Sequence, residues 1–276
     1  MPPSPVNRAH PTAVITGAAG GIGRALAHAL AQQGRALVLA DVDAAALARV
    51  QADIETYGQP VASLRTDVAD AAQVEQLCAF SFEKLGHVDL LVNNAGVLAT
   101  GPCWDLETRV YERVLDVNLW SVIHALRAFV PRMGEQGHGH IVNVASMAGL
   151  AVGPWLAPYT ISKQGVVALS EGLALELQAS GLPLKVSVVC PGPVATGIAQ
   201  NLPTGSQDRA QDNVSHMNHA LRTGIAQGMP ADEMAQRILA GIAAGDFWIL
   251  PHDEARVAAK ARGERIAQGE APSFAI

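Results

Sequence analysis

A glycine-rich run near the start of the chain constrains the fold more than any other feature of the sequence. It comprises the segment Thr16-Gly17-Ala18-Ala19-Gly20-Gly21-Ile22-Gly23. The run follows a short apolar segment and opens an amphipathic one, so it predicts a tight turn between a strand and a helix. Glycines let the backbone approach a diphosphate closely, and the free N–H groups that begin a helix favour negative charge. The expected dinucleotide contacts are Gly17, Gly21, Ile22 and Gly23, although the TGxxxGxG spacing differs from the commoner GxGxxG fingerprint.

Apolar and amphipathic segments alternate along the rest of the chain. Short runs rich in Val, Ile and Leu predict seven strands, at 13–16, 36–40, 61–64, 90–92, 141–144, 186–189 and 247–250. Longer amphipathic patterns predict helices between them, at 22–33, 44–57, 71–85, about 106–133, 159–179 and 231–244. This order is typical of an α/β fold, a single-domain Rossmann-type doubly wound parallel sheet with helices on both faces.

Three segments do not follow this alternation. Between residues 192 and 230, prolines, glycines and polar residues interrupt any sustained period, so we expect a mobile substrate loop carrying short helices. The segment 251–276 is charged and Ala-rich, and it either docks on a neighbouring subunit or frays. Residues 1–11 contain four prolines, which predicts a disordered arm in front of one catalytic domain at 12–276.

Composition narrows the class of protein. The chain has 276 residues, of which 49% are hydrophobic, and can bury the core of one domain. A formal charge of −6 and scattered basic residues give no footprint for nucleic acid. No segment approaches the roughly 18 uncharged apolar residues of a membrane span. Three widely spaced cysteines fit neither a C-x-x-C metal site nor a disulfide framework. We therefore expect a cytoplasmic protein that binds neither nucleic acid nor membrane.

An acidic residue ends the second predicted strand. Asp41 lies 20 positions after Gly21, where a carboxylate can accept hydrogen bonds from the adenosine ribose. The same carboxylate would repel the 2′-phosphate of NADP, and positions 40–46 contain no Arg or Lys to bind that phosphate. The sequence therefore predicts NAD rather than NADP. The alternative is that Asp41 caps the next helix, although Asp43, directly before Ala44, is the better cap candidate.

Two further motifs follow predicted strands. Asp67-Val68 follows the third strand, and Asn93-Asn94-Ala95-Gly96 follows the fourth. Together with the glycine run, these motifs resemble those of the short-chain dehydrogenase/reductase family, in the same order and over most of the chain. The resemblance implies that Asp67 and Val68 contact adenine, that Asn94, Ala95 and Gly96 support the cofactor, and that Asn93 braces the sheet. By itself, Asp67 is equally well an ordinary turn residue.

A phenol and an ammonium group are placed to share one helix face. Tyr159 and Lys163 lie four positions apart, so both side chains point the same way. A free phenol, with a pKa of about 10, exchanges protons poorly at neutral pH. We expect the ammonium to lower the pKa of Tyr159 towards the range of general acid–base catalysis. The resemblance implies that Lys163 also binds the nicotinamide ribose and that Tyr159 lies against the cofactor. Alone, this pair would be an ordinary exposed helix face.

Two more residues match the catalytic set of the family. Ser146 ends the fifth strand, 13 positions before Tyr159, and its hydroxyl would hold the substrate oxygen. Asn118 lies inside a predicted helix despite its weak helix preference, and the resemblance implies that it distorts that helix and holds a water that links Lys163 to solvent. The alternative for Ser146 is an ordinary polar residue at the end of a strand. The alternative for Asn118 is a buried amide whose hydrogen bonds are satisfied by the backbone.

The segment Pro191-Gly192-Pro193-Val194-Ala195-Thr196 follows the sixth predicted strand. It resembles the family's PG segment, whose backbone meets the nicotinamide carboxamide, and this implies cofactor contacts by Pro191, Gly192, Val194 and Thr196. Thr196 as a helix N-cap is the alternative. Gly197 follows, where the family often has a proline or an acidic residue.

These residues predict an NAD-dependent oxidoreductase that needs no metal and passes a hydride between the nicotinamide and an alcohol or carbonyl carbon. The pocket should be apolar and suit a hydrophobic or aromatic secondary alcohol; its expected lining is Leu98, Trp104, Met147, Leu150, Val152, Trp155 and Leu156. Alternatives are an NAD-binding sensor or scaffold without turnover and an NADPH-dependent 3-oxoacyl reductase.

The family usually assembles as tetramers or dimers through two long helices, predicted here at 106–133 and 159–179. We therefore expect a homotetramer, or else a homodimer. Four histidines occur in pairs two or three positions apart, and we interpret them as solvated rather than as metal ligands: His138, His140, His216 and His219.

Overall fold

A parallel sheet forms the centre of the protein in the computed structural model, which describes residues 10–200, 202 and 209–272. The strands are β1 (Thr12–Thr16), β2 (Ala36–Asp41), β3 (Val61–Arg65), β4 (Leu90–Asn93), β5 (Gly139–Val144), β6 (Leu184–Val189), β7 (Val194–Ala195), β8 (Met229–Pro230) and β9 (Trp248–Ile249). Seven of them form the main sheet in the order β3-β2-β1-β4-β5-β6-β9, with every neighbouring pair parallel. The short β7 and β8 pair separately. The strand order reverses between β1 and β4, and ligands of such sheets bind beyond the carboxyl ends at this point.

Helices cover both faces of the sheet. They are α1 (Gly21–Gln32), α2 (Ala44–Glu55), α3 (Ala71–Leu85), α4 (Thr108–Leu115), α5 (Ser121–Gln136), α6 (Ala157–Ala179), α7 (Arg209–Ala226), α8 (Ala231–Ala244) and α9 (Asp253–Gln268). The sequence prediction of a doubly wound α/β sheet with about seven strands is confirmed. None of the helices in the described ranges is long and apolar enough to cross a membrane.

The alternation of side chains along each strand divides the core into two layers. In β1, Ala13 and Ile15 face the layer that contains α1, α2 and α8, whereas Val14 faces the layer of α3, α5 and α6. Successive side chains of a strand point to opposite faces. Strands covered on both faces therefore read as continuous apolar runs rather than as alternating ones, which is the pattern that identified them in the sequence.

Local chemistry sets where the helices begin and end. The Asp43 carboxylate accepts a hydrogen bond from the backbone N–H of Ala46 and caps α2. The Asp70 carboxylate accepts bonds from the first turn of α3 and caps it. At the other end of α3, Gly86 adopts a left-handed conformation with φ 74°, which glycine reaches without steric cost.

The structure refines one sequence prediction about helices and corrects another. The pattern at 106–133 forms a continuous helical stretch in which Asp116–Trp120 winds as a π-helical turn between α4 and α5, where the resemblance implied a distortion. Within 192–230 the chain forms the 18-residue helix α7 rather than only short helices. Val214, Met217, Leu221 and Ile225 recur at helical spacing there, but the glycines and prolines nearby masked this signal.

Some predicted features lie outside the described residues. These are 1–9 of the expected N-terminal arm, 201 and 203–208 of the substrate loop, and the last four residues of the tail. The domain boundary at residue 12 remains a prediction. Most of the tail forms α9, which the sequence analysis did not assign.

Candidate active site

A cavity of about 700 Å³ lies at the carboxyl ends of the central strands, where the strand order reverses. Its size falls within the range of about 300–1,000 Å³ that is typical of ligand sites. The loops that follow β1, β4, β5 and β6 all contribute to its walls. The cavity therefore collects most of the candidate residues from segments that are far apart in the sequence. Those lining it are Gly17, Gly21, Ile22, Asp41, Asn94, Ala95, Gly96, Ser146, Tyr159, Lys163, Pro191, Gly192, Val194 and Thr196.

The glycine turn is shaped for close approach by a ligand. Gly17 and Gly21 have φ values of 64° and 51°, a region in which a side chain is strained. Gly20 lines the cavity, and a Cβ added to it would meet nothing within 4 Å. This leaves room for a diphosphate against the start of α1. Gly23 does not line the cavity; a Cβ there would collide with the carbonyl of Gly17, so this glycine permits helix packing instead.

Asp41 points towards the glycine turn. One carboxylate oxygen accepts a hydrogen bond from the backbone N–H of Ala19 at 3.0 Å, and the other accepts one from Asp43 at 3.0 Å. Because Asp43 is the side chain that caps α2, the alternative of Asp41 as the cap is wrong. A carboxylate has about four acceptor positions, so Asp41 retains the capacity to bind ribose hydroxyls.

Asp67 and Val68 lie outside the cavity wall. The Asp67 carboxylate accepts a hydrogen bond from Ala69 at 3.1 Å and lies 3.8 Å from the Arg113 guanidinium, while Val68 is buried in the core. They are nevertheless close to the ribose end, because the neighbouring Thr66 donates its N–H to the carbonyl of Asp41. Their contact with adenine remains a proposal.

The asparagine pair after β4 ties the loops together. Asn94 donates its side-chain amide to the carbonyls of Thr16 and Gly17 at 3.0 and 3.1 Å, which joins this loop to the glycine turn. Asn93 donates to the side chain of Asn143 at 2.8 Å, across the neighbouring strand β5. Asn93 thus braces the sheet, in line with the role that the resemblance implies.

Ser146, Tyr159 and Lys163 meet in the cavity. Ser146 follows β5, and its hydroxyl is hydrogen-bonded to the Tyr159 phenol in the first turns of α6. Lys163 lies one turn further along α6, with its Nζ 5.8 Å from the centroid of the Tyr159 ring. The ammonium donates a hydrogen bond to the carbonyl of Val144 at 2.9 Å and is only 3% exposed. The Ser146 hydroxyl, the Tyr159 phenol and the buried Lys163 ammonium therefore lie together in one part of the cavity.

The direction of the pKa shift of Tyr159 differs from the sequence prediction. Burial raises the pKa of the phenol, and the hydrogen bond from Ser146 only partly opposes this. Burial also lowers the pKa of Lys163 to about 8. The prediction considered only the attraction between phenolate and ammonium. In the folded protein both groups lose hydration, and for the phenol this cost dominates.

Asn118 lies at the π-helical turn and is buried. Its amide donates to the carbonyl of Val97 at 2.9 Å and to the Ser162 hydroxyl at 3.0 Å, and its carbonyl accepts from the N–H of Val97 at 2.8 Å. The helix is distorted where the resemblance implies it. The hydrogen bonds also match the simpler alternative of an amide satisfied by its surroundings, so a role in proton relay remains a proposal. Sequence reasoning missed Ser162, because nothing in its position reveals this contact.

The Pro191–Thr196 segment forms a further part of the cavity wall. The carbonyl of Pro191 accepts a hydrogen bond from the N–H of Met147 at 2.8 Å, directly beside Ser146. The Thr196 methyl group lies against Gly21, and its side chain makes no capping bond to the short 3-10 turn that follows. Thr196 thus occupies the N-cap position of that turn, as the alternative held, but its side chain does not cap it.

The apolar part of the cavity agrees only partly with the predicted lining. Leu98, Met147, Val152 and Leu156 line it, joined by Leu221 and Ile225 of α7, which sequence reasoning missed. Leu150, Trp104 and Trp155 do not. Leu150 packs against the core, and the two tryptophans form an edge-to-face pair with ring centroids 6.4 Å apart.

The predicted solvation of the histidines is wrong for His140. It is buried and hydrogen-bonded to the Ser187 hydroxyl at 2.7 Å, and burial lowers its pKa to about 4. His138 lies 2.9 Å from the Asp89 carboxylate. Within the described part of the chain, no group of three His, Cys, Asp or Glu side chains is arranged to hold a metal.

Comparison with known proteins identifies the family. The sequence model of the family described as short chain dehydrogenase matches residues 11–207. The chain belongs to this short-chain dehydrogenase family. A 1-deoxy-11-beta-hydroxypentalenate dehydrogenase of Streptomyces avermitilis is 35% identical over 248 residues, covering 89% of this chain and 86% of that protein. A CLA biosynthesis dehydrogenase/reductase of Lactiplantibacillus plantarum is 32% identical and covers 95% of both chains.

A solved structure shares both the fold and much of the sequence of this short-chain dehydrogenase. It is a short-chain dehydrogenase/reductase from Burkholderia phymatum in complex with NAD, 37% identical, with a TM-score of 0.91 over 97% of this chain and 98% of that one. The present protein is therefore an oxidoreductase of this family with a Rossmann-like, seven-stranded parallel sheet.

The buried ammonium predicts a pH-dependent difference in stability between the wild type and Lys163→Met. The unfolded lysine keeps its proton up to about pH 10.5, whereas the folded one loses it near pH 8. Burial of the charged ammonium thus lowers the free energy of unfolding of the wild type. This loss is fully present below pH 8 and is relieved as the pH rises to 10.5. The difference between these two pKa values corresponds to about 3 kcal/mol in the free energy of unfolding. The free energy of unfolding of Lys163→Met minus that of the wild type should fall by about this amount between pH 7.5 and 10.5.

Urea unfolding of both proteins over this range measures the difference. Taking the difference removes the titration of other groups that both proteins share. A difference that stays constant with pH would contradict the lowered pKa of Lys163.

Proposed function

We propose that this protein is an NAD-dependent oxidoreductase that interconverts a hydrophobic or aromatic secondary alcohol and its ketone. The observation that supports this most is the meeting of Ser146, Tyr159 and Lys163 in a cavity that also contains the glycine turn and Asp41. Proton-transfer groups and dinucleotide-binding features thereby share one continuous site. The expected site of catalysis comprises Asn118, Ser146, Tyr159 and Lys163.

The chain's own residues supply binding, orientation and proton transfer. The bound nicotinamide supplies the hydride acceptor for oxidation, or the donor for reduction. Ser146 holds the substrate oxygen near the Tyr159 phenol, with which its hydroxyl is already hydrogen-bonded. Tyr159 takes the hydroxyl proton during oxidation and returns it during reduction. Because its pKa is raised by burial, the phenol is neutral at physiological pH and ready to act as the acid. Lys163 favours the phenolate needed in the opposite direction.

The fit of the cavity to NAD rests on its two ends. The open space at Gly20 suits a diphosphate, and the Asp41 carboxylate suits the unmodified ribose of NAD. The Burkholderia phymatum relative binds NAD, and the sequence of the present chain offers no Arg or Lys at 40–46 for a phosphate. An NADPH-dependent 3-oxoacyl reductase is the less suitable alternative, because Asp41 would repel the 2′-phosphate of NADPH and no Arg or Lys at 40–46 would bind it.

The substrate class follows from the walls near Ser146. Leu98, Met147, Val152 and Leu156 come from loops of the sheet, and α7 adds Leu221 and Ile225. Charged side chains are confined in this cavity to Asp41 and Lys163, as far as the described residues go. Such a lining favours an apolar substrate that carries one oxygen function.

The two helices expected at the subunit interface expose large apolar side chains. Trp120 is 47% exposed, Ile161 50% and Leu175 66%. Burial of such surface is the usual driving force for assembly. We propose a homotetramer, or else a homodimer, formed through these helices. Free thiols at Cys78, Cys103 and Cys190 are compatible with a cytoplasmic location, which we also propose.

Replacement of the phenol hydroxyl tests the chemistry. In Tyr159→Phe the ring remains but the proton-transfer group is lost, so NADH formation across a panel of secondary alcohols should fall by about 100-fold or more. NADH binding, measured by fluorescence, should be retained. Tyr57→Phe serves as the matched control and should remain active. A wild-type protein that binds NADH but oxidises no alcohol would favour a sensor or scaffold instead.

Removal of the Asp41 charge tests the cofactor preference. Two like charges about 4 Å apart repel by about 1 kcal/mol in bulk water and by about 4 kcal/mol near a protein surface. The ratio of kcat/KM for NAD to that for NADP should therefore fall by at least about fivefold in Asp41→Asn. Asp43→Asn removes a neighbouring charge while keeping a capping side chain, and should leave the ratio unchanged. A wild type that prefers NADP would overturn the assignment.

Substitution of a charged residue on the exposed face of α6 tests the proposed assembly. Light scattering at micromolar protein concentration should show a tetramer or dimer for the wild type. Leu175→Arg should dissociate it, because a buried unpaired charge opposes association. Val257→Arg, at a similarly exposed position on α9, is the control. A monomeric wild type would contradict the proposal.

A further inference from the structure

The backbone between β6 and β7 has an unusual shortage of hydrogen-bond donors. Proline has no backbone N–H, so the Pro191-Gly192-Pro193 segment contains a single donor, that of Gly192. All three residues line the cavity beside Ser146 and Met147. The position of this wall of the site therefore depends on few contacts.

Three of those contacts are between backbone groups. Cys190 donates to the carbonyl of Ile249 in β9 at 2.9 Å, which continues the sheet. The carbonyl of Pro191 accepts from Met147 at 2.8 Å, and that of Pro193 accepts from Met229 at 3.0 Å. They hold the segment at Cys190, at the carbonyl of the Pro191–Gly192 peptide and at Pro193. The N–H of that same Pro191–Gly192 peptide, which belongs to Gly192, needs a further acceptor.

The Gly192 N–H donates to a side chain that lies 60 positions away. Its acceptor is Nδ1 of His252 at 3.0 Å. The ring also packs against the glycine, since a Cβ added to Gly192 would lie only 3.0 Å from Cγ of His252. To accept this bond the imidazole must be neutral, with its proton on Nε2. Glycine is required here because the ring occupies the space of a side chain.

The backbone next to His252 is fixed by a contact with α8. It follows β9 and precedes α9, and the carbonyl of the preceding Pro251 accepts a hydrogen bond from the Arg237 guanidinium of α8. Arg237 also pairs with Glu233 at 2.7 Å. The backbone that carries the imidazole is thus attached to the end of the central sheet and to α8.

We propose that His252 is a positioning residue for the nicotinamide end of the cofactor site. By accepting from the Gly192 N–H, it holds the Pro191–Gly192 peptide from the side opposite to Met147, which donates to the carbonyl of that peptide, and so fixes the cavity wall next to Ser146. This inference rests on the proposed function, in which that wall faces the nicotinamide. It assigns a functional role to a residue beyond residues 11–207, which the sequence model of the family matches.

Two substitutions separate the hydrogen bond from the bulk of the ring. His252→Asn keeps an acceptor near the position of Nδ1 but removes most of the ring, whereas His252→Leu keeps the bulk and removes the acceptor. Arg256→Ala, at an exposed position of α9, is the control. The measurements are kcat, KM for NAD, NADH affinity by fluorescence, and amide hydrogen exchange of the cofactor-free proteins by NMR.

Hydrogen exchange of the Gly192 amide reports directly on its hydrogen bond to His252. Because prolines flank Gly192, its amide is the only exchangeable backbone proton of the three residues. In His252→Leu this amide should exchange at least about tenfold faster, NADH affinity should weaken and kcat/KM for NAD should fall about tenfold or more. His252→Asn should stay within about threefold of the wild type in all of these, although it loses more packing.

The opposite pattern overturns the inference. If His252→Leu folds and retains the kcat, KM and NADH affinity of the wild type, the contact does not position the site. If His252→Asn is impaired more than His252→Leu, only ring packing matters. Should the wild type oxidise no alcohol, the proposed function fails, while NADH affinity and Gly192 exchange still decide the role of His252.

Discussion

The reversal of strand order between β1 and β4 is the constraint on which the rest of the protein depends. Parallel strands all end at the same edge of the sheet, and at the reversal the loops that follow them turn away on opposite faces. A crevice results without any special side chain. Segments separated by more than 170 positions, from Gly17 to Pro191, reach the crevice because their strands end there. The chemistry of the site is then a matter of which residues follow each strand.

Placement of a charged lysine inside this crevice has a cost in stability. Lys163 is almost fully buried, and loss of hydration lowers its pKa to about 8, so it remains charged at neutral pH at the expense of stability. Its hydrogen bond to the carbonyl of Val144 offsets part of this cost. A charge in a site of low polarity acts more strongly on a neighbouring phenolate than the same charge in water. The arrangement exchanges stability for electrostatic effect, as functional sites commonly do.

Positions that were predicted well depend on local sequence, and those predicted badly depend on remote contacts. The seven strands and most helices follow from apolar periodicity, and the Asp43 cap follows from the residue that precedes α2. The helix α7 was missed because the glycines and prolines nearby masked its apolar spacing. The partnership of Gly192 with His252 spans 60 positions, and no local pattern indicates it. Val68 was expected beside adenine; it packs into the core next to Asp67, and its contact with adenine stays a prediction.

The sequence by itself determined the fold class and the family and proposed the catalytic residues, because strand periodicity, the glycine run and the spacing of Ser146, Tyr159 and Lys163 are all local features of the chain. Only the tertiary structure decided the balance of charges in the site. Whether the pKa of Tyr159 rises or falls depends on how much water each group loses and on the hydrogen bond with Ser146. Those quantities arise from the packing of distant segments, and linear spacing contains no measure of them.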